Sequence, residues 1–218
     1  MTASPLRARF LGGLVAAALV LALGAPALAQ GTLQWVEVGL VLDGAARARV
    51  TYQARWHTSG TMHGFYFQGE QASPRFREGH AELPDGRQVP LSITRAGSGR
   101  WDIVLEDGMA WGPGEATYTF SYDADLAQAG LVDLTESAEG ERLVVFNWAP
   151  VQWDEPLEHQ TLVTVFTSVP APRDGELTLE EAAAETGLRT EEWVNQRYLI
   201  TYRGESEPPV LWVRFHQN

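Results

Sequence analysis

The sequence predicts an all-β protein: an antiparallel β-sandwich, immunoglobulin-like or jelly-roll-like, of about 8–10 strands with one short helix near 178–187. Three observations carry this. "RARVTYQARW" alternates apolar and polar residues with the two-residue period of a half-buried strand. Similar short runs recur along the chain, separated by the breakers "LPDGR", "AGSG", "EDG" and "WGPGE". Helical signals are confined to a stretch near the end.

The first residues are not part of that fold. "MTASPLRARF" carries Arg7 and Arg9, "LGGLVAAALVLALGAPA" is apolar, and "ALAQ" places small residues at Ala27 and Ala29. This is the order of a secretory signal peptide, so residues 1–29 are expected to be cleaved before Gln30. The competing reading is an uncleaved membrane anchor, because the apolar run is nearly long enough to span a bilayer. Residues 30–218 then form a single domain.

Within that domain, "LQWVEVGLVL" puts Val36, Val38, Leu40 and Leu42 on one face. Asp43-Gly44 follows, a pair suited to a two-residue type I′ turn. The next strand sets Ala48, Val50, Tyr52, Ala54 and Trp56 against Arg47, Arg49, Thr51, Gln53 and Arg55. "HGFYF" reads as a strand bounded by Gly64 and Gly69. "VPLSI" aligns Val89, Leu91 and Ile93; "WDIVL" aligns Trp101, Ile103 and Leu105; "TYTFSY" aligns Tyr118, Phe120 and Tyr122. "RLVVFNW", "TLVTVFTSV", "RYLITY" and "VLWVRF" complete the set. In "TLEEAAAETG", Thr178 stands three residues before Glu181 at capping-box spacing, alanines follow, and Gly187 is a stop. A further helical turn is expected at "TEEWV".

Composition narrows the function classes. There is no cysteine, which removes disulfides, thiolate metal sites and a lipid-modified N-terminal cysteine. All sixteen basic residues are arginines, against 28 acidic residues, for a formal charge of −12; loss of Arg7 and Arg9 with the leader makes it more negative. An acidic surface repels phosphate backbones and anionic headgroups, so nucleic acid is not an expected partner. Membrane association is expected only through an uncleaved leader or a segment beyond the C-terminal end.

Signatures of chemistry are sparse. The five histidines, His57, His63, His80, His159 and His216, show neither H-x-x-x-H nor H-x-H spacing. A metal site would have to assemble across strands, and His63, Asp154 and His159 are the candidates. No serine occupies a G-x-S-x-G elbow. Asp154 and Glu158 are an uninformative carboxylate pair, and no phosphate-cradling glycine pattern precedes a helix. No cofactor is expected. Eight tryptophans raise carbohydrate binding, since an exposed indole stacks on sugar rings. Trp56 and Trp101 fall on apolar strand faces, leaving Trp111, Trp148 and Trp153, with His63, as the candidate ligand-binding residues.

One stretch concentrates these candidates: "NWAPVQWDEPLEHQT", residues 147–161. It reads as a corner between two strands, with Pro150 and Pro156 interrupting the ladder. Trp153 is expected to plug the core beneath it, and Asp154 to accept backbone N–H groups in the turn.

The succession "VEVGLVLDGAARARVTYQARW", "HGFYF", "DGRQVPLSI", "WDIVLEDG", "GPGEATYTFSYDADL" and "LVVFNWAPVQWDEPLEHQTLVTVFTSVP" resembles the extracytoplasmic N-terminal domain of a bacterial membrane-protein family, domain of unknown function family 2207. Tyr118 with Tyr122, and Asn147, Trp153, Asp154 and Pro156 ahead of "TLVTV", carry the match. The resemblance implies a signal peptide, a β-rich exported domain and following transmembrane helices; it brings no catalytic residue. Because the chain ends at "VLWVRFHQN", the expectation is a domain cut from a longer product or a free-standing relative. The functional expectation is an exported, non-enzymatic module at the cell envelope that senses, scaffolds or binds envelope proteins. The alternatives are a binder of glycans or cell-wall polymer and a metal-dependent hydrolase.

Overall fold

A computed structural model describes residues 31–154, 156–171, 175–186, 199–204 and 210–217. The expected leader and the turn at "TEEWV" lie outside the described residues.

The chain is all-β with one short helix. In order, the elements are β1 (Gly31–Leu42), β2 (Arg47–Thr58), β3 (Gly64–Gln68), β4 (Arg75–Phe76), β5 (His80–Glu82), β6 (Gln88–Gly97) and β7 (Arg100–Leu105). There follow β8 (Gly114–Asp125), β9 (Val132–Glu136), β10 (Arg142–Phe146), β11 (His159–Pro170), β12 (Gly175–Leu177), α1 (Leu179–Thr186), β13 (Leu199–Gly204) and β14 (Val210–Gln217). The strands beyond the ten legible in sequence are β4, β5, β9 and β12, most of them too short to show a period. The helix has the expected cap: Thr178 Oγ1 accepts from Glu181 N at 3.2 Å, and Thr178 N donates to Glu181 Oε2 at 2.7 Å.

Twelve strands form one sheet in the order β12-β13-β14-β11-β1-β2-β8-β5-β6-β7-β3, with β4 paired to β8; β9 and β10 form a separate pair. Every pairing is antiparallel except β1 with β11, which run parallel from Trp35↔His159 to Leu42↔Phe166. The purely antiparallel expectation is corrected at that one seam. Alternation specifies which face of a strand is buried; it carries no information about the direction of the neighbour.

The first hairpin forms with a different turn. Asp43 Oδ1 accepts from Ala45 N and Arg47 N, both at 2.9 Å, and Ala46 rather than Gly44 takes the positive φ, 58°. The side chain of Asp43 thus stands in for a backbone acceptor and widens the loop.

β1, β2 and β8 make the floor of the core. Their register aligns Val38 with Tyr52 and Tyr52 with Phe120, so all inward residues share one face. A bulge at Gln34 resets β1 so that Leu33 and Val36 both point inward. β6 changes layers: Gln88–Pro90 pair with β5, and Leu91–Gly97 pair with β7. Pro90, which lacks an N–H, sits where the ladder is handed over. The turned-over strands β7 and β3 then face the floor. Phe67 lies edge-on to Tyr52 and Phe120, with centroids 5.1 and 5.2 Å away, and Phe65 lies edge-on to Tyr118 at 5.2 Å. Such aromatic pairs add roughly 0.5–1.5 kcal/mol each beyond area burial. Gly64 permits the close approach of β3 and β7, because a Cβ there would stand 2.0 Å from the Ile103 carbonyl oxygen.

Candidate functional site: a strapped groove and an apolar arm

The described residues between β10 and β11, 147–154 and 156–158, have no regular structure, and each anchor point is a specific contact. Asn147 N donates to Leu131 O at 2.8 Å. Trp148 is buried and its Nε1 donates to Glu70 Oε1 at 3.3 Å. Val151 N donates to the hydroxyl of Tyr52 at 3.1 Å. Trp153 packs on Trp56, Phe65 and Phe67, and Glu158 N closes the segment on Gln34 O at 2.8 Å. The stretch is therefore a strap across the open side of the core. It is not a corner between sheet neighbours, because β10 pairs with β9 while β11 lies between β1 and β14.

Glu70 is the hub beneath the strap. Oε1 accepts from Trp148 Nε1 and from Ala72 N at 3.0 Å, and Oε2 accepts from the Tyr122 hydroxyl. Burial, then the facing Tyr52 and Glu70, drives the Tyr122 phenol far above its ordinary range, and burial does the same to Tyr52. The carboxylate is thus occupied with donors from three parts of the chain and serves to fix the strap. Above it opens a groove of about 910 Å³ walled by Gln68–Gln71, Gly97–Arg100 and Ala149–Gln152. Its polar side chains are three amides, one hydroxyl, one carboxylate and one guanidinium; Ala149, Pro150 and Val151 add apolar surface, and no aromatic residue lines it. Arg100 lies over the ring of Tyr66 with its guanidinium carbon 4.6 Å from the centroid.

The residues singled out in the sequence are distributed, not assembled. Trp111 is buried and its Nε1 donates to the Tyr118 hydroxyl at 2.7 Å; burial pushes that phenol up to about 12. Trp111 and Trp148 expose 5% and 7% of their surface, so neither offers a face to a sugar ring. Trp153 is half-buried against the core, as expected of a plug. His63 is exposed, with Nδ1 3.0 Å from Met109 O. Asp154 is exposed too and accepts from Gln68 Nε2 at 3.4 Å, with no backbone donor to its carboxylate among the described residues. His63 precedes β3 and Asp154 meets its far end, while His159 stacks on Trp35 of β1 at 6.0 Å. Among the described residues no three His, Asp or Glu side chains are grouped to hold a metal ion. The His63–Asp154–His159 set is corrected accordingly: three residues on separate strand ends do not converge.

Sequence reasoning missed the second feature. β9 and β10 project as a two-stranded arm. At its root Val132 and Phe146 pack on the core, Phe146 edge-on to Phe166 at 5.7 Å. Further out, Leu134 is 70% exposed and its cross-strand partner Val144 67%, while Leu143 and Val145 on the opposite face expose 40% and 44%. The available signal was "LVVF", four consecutive apolar residues where a strand with one solvent-facing side would alternate.

No family model matches the chain, and no curated protein matches it. Among solved structures it is similar to the M1 zinc metallopeptidase of Deinococcus radiodurans, at 12% identity and a TM-score of 0.47, over 88% of this chain and 41% of that one. A mutant of the same enzyme bound to a Tyr-Ser-Ala substrate gives 12% identity and a TM-score of 0.49, over 89% and 41%. The chain spans 41% of the length of these peptidases. That likeness assigns no activity to it.

Proposed function

We propose that this chain is an exported, non-enzymatic interaction module of the bacterial cell envelope that holds another protein on its β9–β10 arm. The observation that carries the reading is the exposure of Leu134, Leu143, Val144 and Val145 on both faces of one small element. Burying apolar surface yields about 25 cal/mol per Å², and contiguous apolar patches on a folded monomer mark interaction sites. An isolated two-stranded hairpin is at best marginally stable in water, so a partner that covers the arm also stabilises it. The leader-like residues 1–29 support the compartment, and the resemblance to family 2207 implies the same one.

A photo-crosslinking residue introduced at Leu134 in the full chain, expressed in bacteria, tests this. The expected result is a discrete heterologous adduct in the envelope fraction that is missing when the probe sits at the exposed Gln53 of β2. Recovery of the chain in the cytosol, or no heterologous adduct from Leu134, overturns the proposal.

A further inference from the structure

The arm has two outer edges, and the hydrogen bonds at its ends show which backbone groups each one presents. Ser137 N donates to Glu141 O and Asn147 N donates to Leu131 O, both at 2.8 Å. In an antiparallel ladder hydrogen-bonded and non-hydrogen-bonded pairs alternate. Counting inward from both ends, Leu143 and Val145 turn their N–H and C=O groups toward β9. Arg142, Val144 and Phe146 turn theirs away from it, as Val132, Leu134 and Glu136 do on β9. Neither outer edge has a partner strand among the described residues.

The two edges differ in how they are protected. "VDLTE" of β9 interleaves Asp133 and Glu136 with its apolar residues, whereas β10 runs Leu143, Val144, Val145 and Phe146 without a charge or proline. Charged and proline residues are what blunt a strand edge against pairing. Apart from Arg142 at its start, the outer edge of β10 is therefore unguarded and has high strand propensity. The charge around it is one-sided: Asp133, Glu136, Glu139 and Glu141 stand against Arg142 alone, on a chain of net charge −12. A second copy would bring the same carboxylates to the seam, and anionic headgroups would be repelled as well.

Resting on the docking reading above, we infer that the outer edge of β10 accepts an extended segment of another protein by strand addition, and that this segment alternates apolar residues with lysine or arginine. The open N–H and C=O groups of Arg142, Val144 and Phe146 supply the ladder. Apolar side chains of the added strand extend the Val144 and Phe146 row, and its cations lie on the other face, whose residues are Leu143 and Val145 on β10 and, one strand further, Asp133 on β9.

The test uses the full chain and fluorescence polarisation with short synthetic peptides: alternating valine and lysine, alternating valine and glutamate, and the valine–lysine peptide N-methylated on alternate residues. Val144→Pro and Leu134→Pro are compared, because each removes one member of the same cross-strand apolar pair and an N–H that the internal ladder does not use. Circular dichroism confirms folding, and Val144→Lys, which guards the edge with a charge, replaces Val144→Pro if that variant does not fold. The valine–lysine peptide is expected to bind, with the glutamate and N-methylated peptides at least about tenfold weaker. Val144→Pro or Val144→Lys should lose at least about tenfold, and Leu134→Pro should stay within about threefold. Equal losses in the two proline variants, indifference to N-methylation, no peptide binding, or a self-association abolished by Val144→Pro would each overturn strand addition by a basic partner. A persisting adduct from Leu134 would then leave the docking reading standing, whereas its absence removes both.

Discussion

Glu70 shows how a single side chain can hold a connection that sequence spacing does not reveal. It lies two residues beyond β3, yet its donors include Trp148, 78 residues away, and Tyr122, 52 residues away. In sequence Glu70 is one acid among 28, while Trp148 stands among the candidate ligand-binding residues. Only the fold brings the two together, and the indole N–H explains why a half-buried carboxylate is tolerated there. Glu70→Gln keeps the size but places an amide N–H₂ against a donor. It is expected to cost about 1–3 kcal/mol in urea unfolding, with a similar loss for Tyr52→Phe, which strips the acceptor from the buried Val151 N–H. Parental stability in both variants would mean that the strap does not depend on these bonds.

At the scale of elements, β9–β10 behaves as an appendage joined to the core through its root. Its outer side chains contribute little to folding, because they stay in contact with water in the folded state. Leu134→Ser with Val144→Ser should therefore shift unfolding by no more than about 0.5 kcal/mol while lowering the binding of an apolar fluorescent dye. A large destabilisation would show that the arm is part of the core. β10 was legible as a strand, but its isolation from β11 was not. The residues that decide it, Asn147 to Glu158, carry prolines and tryptophans that read equally well as a corner. α1 is the opposite case: Thr178 and Glu181 bond each other locally, so spacing alone located the helix start.

Across the whole molecule, the buried phenols tie stability to pH. Tyr52, Tyr118 and Tyr122 all have their ionisation raised by burial above the ordinary value of 10.0, Tyr118 to about 12. A raised phenol stabilises the folded state fully below the unfolded value and loses that contribution as pH climbs through the folded one. Stability should thus be level up to about pH 10 and fall beyond it. The three phenolates should appear together with loss of circular dichroism, monitored by tyrosine absorbance; titration of all three in the folded protein would contradict the packing. The sequence alone determined the all-β class, the faces of β1, β2 and β8, and the capped helix, because alternation and capping depend on neighbours along the chain. Tertiary structure decided the parallel seam of β1 with β11, the turning over of β6, the strap on Glu70, and the burial of Trp111 and Trp148. It also decided the exposure of the β10 edge. Those outcomes depend on which strand lies beside which, and residues far apart in the chain settle that through packing and hydrogen bonds that no local period encodes.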